Sequence, residues 1–211
     1  MKNKSKKISL ICLIISILIF VGLTIWVKTD SINSFDSAFY NIFLFNDITT
    51  FIMKVITTLG DELIFIPLVI LCLVFIKDKN IGVYLLFNLI LSSSLNAFTK
   101  LLIQRPRPVG ISLVVENGFS FPSGHSFTAF AFYGFLIYLI YKFVKKSKPK
   151  ILLIALISSL IILVGVSRVY LGVHFISDVI AAFAYGYIYL YFFVKLFDKY
   201  KIVNVRKIRK K

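Results

Sequence analysis

The sequence predicts an all-α bundle of six membrane-spanning helices, with an amphipathic interfacial helix between the first two spans. Three observations carry this. The chain of 211 residues is 59% hydrophobic and only 16% charged, whereas soluble chains average about 45–50% and about 25%. Its apolar residues gather in long uncharged blocks, and about 20 such residues cross the roughly 30 Å hydrocarbon core of a bilayer. Its charge, 25 basic against 9 acidic residues for a formal +16, is divided unequally between alternate connections. The composition excludes a disordered chain and argues against an ordinary soluble domain, so a basic footprint for nucleic acid is not the first reading of that charge.

Residues 8–27 form the first span, without one charged side chain. A secretory signal peptide competes, because Lys2, Lys4, Lys6 and Lys7 resemble its basic n-region. The apolar run nevertheless exceeds the roughly 7–15 residues of an h-region, and no small-residue cleavage site follows, which favours a retained span. Apolar residues then recur every three or four positions at Phe35, Ala38, Phe39, Ile42, Phe45, Ile48, Ile52, Val55, Ile56 and Leu59. That stripe fits a helix lying on the membrane surface with Ser34 as its N-cap, or a helix packed on the bundle as ordinary core. The second span is placed at 59–76, although only Leu63 to Ile76 is strictly apolar, so its helix must reach back through Thr57 to Gly60 or thin the bilayer locally. Further spans follow at 81–99, 126–144, 151–167 and 175–194, then a basic tail at 195–211, all in one integral-membrane domain. Cys12 and Cys72 lie inside spans and read as small buried apolar residues rather than a disulfide or metal pair.

Six spans put both termini on one side, and the N-terminal segment, the connections at 77–80 and 142–150 and the C-terminal tail together hold 19 of the 25 basic residues. The positive-inside rule makes that side cytoplasmic. The loops at 28–62, 100–125 and 167–174 are then outside, with Lys28, Lys54, Lys100, Arg105, Arg107 and Arg168.

Polar chemistry collects on that outer side in three stretches. Lys100 to Pro108 carries two Arg-Pro pairs that cannot continue a helix, which presents the guanidinium groups on a stiff extended segment. Taken alone, this stretch reads first as a set of interfacial anchors. Pro122-Ser123-Gly124-His125 precedes the fourth span. A helix starting there leaves amides unpaired behind the positive end of its dipole, a site for a phosphate oxygen that Gly124 lets approach closely, although Pro-Ser-Gly is also a common way to begin a helix. Ser167-Arg168 to His174 and Asp178 joins the last two spans, and the four-residue spacing would set imidazole and carboxylate on one helical face. Asp178 falls in an apolar block, where an ionisable side chain needs a partner, and His174 is the nearest. Three cations, the chain's two histidines, a helix N-terminus and a buried carboxylate on one face describe a phosphoryl-transfer site that needs no metal.

These stretches resemble the type 2 phosphatidic acid phosphatase superfamily of membrane lipid phosphatases, whose motifs are K-x6-R-P, P-S-G-H and S-R-x5-H-x3-D. Lys100 to Pro108 fits the first with Arg107, not Arg105, in register; Pro122 to His125 fits the second; Ser167 to Asp178 fits the third without a gap. The resemblance implies that His174 is the nucleophile that forms a phosphohistidine and that Asp178 orients and stabilises its imidazole. It implies that His125 is the general acid for the leaving oxygen and then the base for water. Lys100, Arg107, Ser123, Gly124 and Arg168 would hold the non-bridging oxygens, with no metal or other cofactor. The expected substrate is a lipid phosphate or diphosphate (undecaprenyl diphosphate, phosphatidylglycerophosphate or phosphatidic acid) whose tail stays in the bilayer, reached past Asn88, Ser92, Ser93, Ser94 and Asn96 of the third span.

Two other classes compete. A transporter or flippase would use the outer cations and Asp178 as a substrate path, but no paired Gly/Pro interruptions of spans are evident. A nucleic-acid-binding or structural membrane protein would use the tail Lys199 to Lys211, which reads more simply as a topology determinant and a contact for anionic lipid.

Overall fold

The computed structural model describes residues 2–29, 32–40, 46–76, 78–110 and 112–200. The regular elements among the described residues are all helices, with no strand: α1 (Lys2–Lys28), α2 (Asn33–Tyr40), α3 (Asp47–Thr58), α4 (Glu62–Phe75), α5 (Lys79–Ile103), α6 (Gly124–Phe143), α7 (Lys148–Tyr170) and α8 (Ile176–Tyr200). Five helices are long and apolar enough to cross a membrane, and a sixth span results if α3 and α4, bent by 49° at their junction, are counted as one. The chain is thus a multi-pass membrane protein.

The bundle is built around α6, which packs against α5, α7 and α8, while α1 lies along α8, α4 along α5 and α3 along α7. Phe127, Ala129, Ala131, Phe132 and Phe135 of α6 are fully enclosed. Close approach comes from small residues: a side-chain carbon on Gly165 would lie 2.5 Å from the Phe183 ring, and one on Gly186 2.9 Å from Phe130. Helices in lipid associate through such contacts, because lipid tails supply no hydrophobic drive between them. The outer surface is correspondingly apolar: Ile11, Ile14, Leu18 and Ile25 of α1 are exposed, and Cys12 is exposed with them rather than buried. Polar side chains turn inward instead, with Asn88, Ser92 and Asn96 of α5 buried.

Two sequence expectations are corrected here. The segment from 35 to 59 is not one helix: α2 begins at Asn33, so Ser34 lies in its first turn and does not cap it, and α3 has its own N-cap, Asn46, whose side chain accepts from the Thr49 amide at 2.9 Å. Ile42 and Phe45 of the stripe, and residues 201–211 of the basic tail, lie outside the described residues. The helix expected over 59–76 spans only Glu62 to Phe75, because Leu59 ends α3 and Asp61 caps α4, accepting from the Leu63 amide at 2.9 Å. A carboxylate that satisfies free amides starts a helix where hydropathy alone would have continued one.

Candidate active site

The loop of residues 104–123 leaves α5 through Gln104, in the left-handed conformation at φ 55°, and crosses one end of the bundle to reach α6. Arg107 pins this loop, donating from Nε to the Gly118 carbonyl at 3.0 Å and from Nη2 to that of Asn117 at 2.9 Å. Its Nη1 crosses to the segment before α8, where it reaches the Val173 carbonyl at 2.9 Å and His174 Nε2 at 3.3 Å. Ser123 docks the start of α6 on α8 through a 3.2 Å bond from its amide to the Asp178 carbonyl. All three sequence stretches therefore meet at one place.

His174 is 1% exposed and is held from both ring nitrogens. Nδ1 lies 3.4 Å from Asp178 Oδ2, and Nε2 faces Arg107. A carboxylate only accepts and a guanidinium only donates, so neutral imidazole carries its proton on Nδ1 and turns its Nε2 lone pair toward the cations. Burial, then the charges of Arg168, Lys100, Arg107 and His125, hold this imidazole well below its ordinary value of 6.5. The four-residue spacing to Asp178 is not that of one helical face, since His174 precedes α8. Asp178 instead sits in the first turn of α8 and reaches back to accept the Phe175 amide at 2.9 Å, the carboxylate half of a capping box, and so meets His174 from below.

Arg168 is 1% exposed at the end of α7; it donates from Nη1 to Thr57 of α3 at 2.7 Å and from Nη2 to Glu116. The second Glu116 oxygen lies 3.7 Å from Arg107 Nη2, so one carboxylate bridges the two guanidinium groups. Burial would raise the Glu116 carboxyl, but Arg168, by charge and hydrogen bond, with His125 and Arg107, leaves it below its ordinary 4.5. Lys100 Nζ lies 3.8 Å from where a side-chain carbon on Gly124 would stand, which ties the first stretch to the start of α6. At that helix start the cap residue Ser123 makes no side-chain bond to the first amides; its hydroxyl is enclosed and meets Ser126 Oγ at 2.9 Å. His125 Nε2 lies 3.7 Å from Asp61 Oδ2. A cavity of about 580 Å³ opens beside Lys100, Gly124 and His125 and runs between α4 and α5, lined by Asp61, Glu62, Ser93 and Asn96.

Sequence reasoning missed several of these participants. Arg105 was set aside as out of register, yet it is 6% exposed and donates from Nη1 to Asp178 Oδ1 and to Ser177 Oγ, both at 2.7 Å, and from Nη2 to Asp36 Oδ2 at 2.6 Å. Asp36, Asp61, Thr57 and Glu116 were missed as well. A signal was present in the count of acidic residues on the outer side, seven of nine, on the side that holds only six of the 25 basic ones.

The arrangement can hold a phosphate between Arg107, Arg168, Lys100 and the free amides of α6, with an imidazole nitrogen behind it and a second imidazole beside it. The model of the PAP2 superfamily matches residues 81–202. Phosphatidylglycerophosphatase B of Bacillus subtilis is 37% identical over 166 residues, covering 76% of this chain and 78% of its own. Undecaprenyl-diphosphatase of Sulfolobus acidocaldarius is 28% identical over 184 residues, covering 82% of this chain and 84% of its own. The crystal structure of a transmembrane PAP2-type phosphatidylglycerolphosphate phosphatase from Bacillus subtilis superposes with a TM-score of 0.79 at 33% identity, covering 89% of this chain and 96% of that one. With the family model spanning more than half the sequence, from α5 through α8, the chain belongs to the PAP2 superfamily.

Proposed function

We propose that this chain is a membrane lipid phosphatase that hydrolyses the phosphate monoester or diphosphate of a lipid at the outer membrane face through a phosphohistidine. The observation that carries this is His174, buried, with Nδ1 against Asp178 and Nε2 facing the Arg107 guanidinium. Nε2 attacks phosphorus in line, the bond to the leaving oxygen breaks, and His125 delivers a proton to that oxygen. Asp61 Oδ2, 3.7 Å from His125 Nε2, flanks that imidazole. The positive charge left on His174 faces Asp178. His125 then takes a proton from water, whose oxygen attacks phosphorus and releases the nitrogen. Lys100, Arg107, Arg168 and the Gly124 amide hold the non-bridging oxygens, and Ser123 supports that amide by fixing the start of α6. The cavity touches His125 and Lys100 but not His174, so it lies on the leaving-group side of an in-line displacement, facing α4 and α5.

In this reading α3 and α4 make one bent span, giving six. The apolar residues exposed on α3 (Ile48, Phe51, Ile52 and Val55) lie against the membrane interface, and both termini are cytoplasmic. The relatives named as phosphatases favour an enzyme over the flippase alternative. Purified protein should release phosphate from phosphatidic acid, phosphatidylglycerophosphate or undecaprenyl diphosphate, in the presence of a chelator as in its absence. His174→Ala should lower turnover by about 1,000-fold or more, as loss of an attacking group does. Full activity in that variant, or activity restored only by Mg²⁺, overturns the proposal.

A further inference from the structure

Arg105 and Asp36 stand outside the three motifs, yet they make the most enclosed charge cluster among the described residues. Asp36 is 1% exposed, Arg105 6%, and Ser177 and Asp178 are fully buried. The Arg105 guanidinium is shared: Nη1 serves Asp178 and Ser177, Nη2 serves Asp36, and its central carbon lies 4.0 Å from the centre of the Phe175 ring. Asp36 in turn accepts the Ser177 amide at 3.0 Å and the Ser177 hydroxyl at 2.8 Å. One cation thus serves two carboxylates in a place water does not reach. A buried excess of one negative charge is costly unless something compensates it.

We infer that Asp36 is a positioning residue for the reaction: by holding part of the Arg105 charge it keeps Asp178 electronegative toward His174, so that the charges of Asp36, Arg105, Asp178 and His174 sum to zero only when His174 is an imidazolium. With Arg105 paired to Asp178 alone, that carboxylate would be neutralised before the reaction started. With Asp36 present, the compensation arrives as the N–P bond forms and positive charge appears on the ring, which lowers the transition state more than the ground state. Neither Asp36 nor Arg105 touches the reacting atoms; both act through Asp178. This inference rests on the phosphohistidine reading of the site.

The test uses the full-length protein in detergent or nanodiscs with phosphatidic acid as the probe. The readouts are kcat, KM and the acid limb of kcat/KM, which reports His174 among Asp178 on α8, Arg107 and Glu116 on the loop, Arg168 on α7, Lys100 on α5 and His125 on α6. Asp36→Asn should lower kcat by about tenfold or more with KM changed by less than about twofold, and should move the acid limb to lower pH, because the cluster has lost negative charge. Arg105→Gln, which adds net negative charge, should move the limb the opposite way. The double variant restores the net charge and should recover limb and kcat toward wild type. A purely structural role cannot shift the limb in opposite directions or produce recovery. Unchanged limbs in both single variants, or a double variant at least as impaired as the product of the singles, overturns the inference. If Asp36→Asn does not fold, a folded and active double variant supports it, and failure of both variants to fold overturns it. Phosphate release retained by His174→Ala, by contrast, sinks the phosphohistidine reading itself.

Discussion

His174 has one nitrogen committed to Asp178 and the other to incoming phosphate, and its protonation is measurable in both kinetics and stability. Burial and the surrounding cations hold it neutral in the free enzyme, so the acid limb of kcat/KM should fall below pH 6.5, the ordinary imidazole value. A bound phosphate offsets the charges of Arg168, Lys100 and Arg107, so the limb of kcat, which reports the complex, should lie at higher pH than that of kcat/KM. Coincident limbs would refute this. The same shift makes unfolding take up a proton: an imidazole depressed in the folded state and ordinary in the unfolded one costs stability as pH falls below 6.5. Thermal denaturation in detergent should therefore show a midpoint that declines from pH 7 to pH 5, less so in His174→Gln. At Glu116 the expectation concerns competition. Its carboxylate bridges Arg107 and Arg168 where phosphate oxygens would bind. Glu116→Gln should strengthen competitive inhibition by inorganic phosphate by about three- to tenfold, and weaker inhibition would show that Glu116 orients the cations rather than competing for them.

At the scale of elements, the junction between α3 and α4 positions two site partners, Thr57 and Asp61, across a short break that contains Gly60. A side-chain carbon on Gly60 would lie 2.4 Å from Val164 Cγ1 of α7, a stiff β-branched neighbour. Gly60→Ala should force α3 from α7, costing about 1–3 kcal/mol in stability and lowering kcat through Arg168 and His125. A variant with wild-type unfolding and turnover would show that the contact relaxes freely. The break itself was legible in the order Gly60-Asp61 before an apolar run, a turn residue followed by a helix cap, but hydropathy averaging hid it. The motif residues were legible because their spacing is short and their side chains are the rare polar ones on an apolar background. The partners of Asp178 were not. Arg105 and Asp36 are 69 residues apart in sequence, and they meet only because α2 and the loop after α5 both come against the start of α8. The spacing from His174 to Asp178 was read as helical when it straddles a helix start, since periodicity carries no information on where a helix begins.

For the whole molecule, the arrangement of helices concentrates every charged side chain of the site at one end of a bundle whose sides are apolar. The sidedness proposed from the basic residues can be tested directly. Val115, 92% exposed on the loop between α5 and α6, and Ser147, at the other end of the bundle where it caps α7, lie on opposite sides of the membrane in this reading. In intact cells, Val115→Cys should react with an impermeant thiol reagent and Ser147→Cys should not, each in a background without Cys12 and Cys72. The reverse pattern would place the site in the cytoplasm.

The carboxylate bridging Arg107 and Arg168 has a consequence for where the enzyme finds its substrate. A free anion must displace Glu116 at its bulk concentration, whereas a phosphate tethered to a lipid arrives by two-dimensional diffusion at a high effective concentration and stays within reach for repeated attempts. An internal competitor of fixed strength thereby favours membrane-confined ligands over dissolved ones.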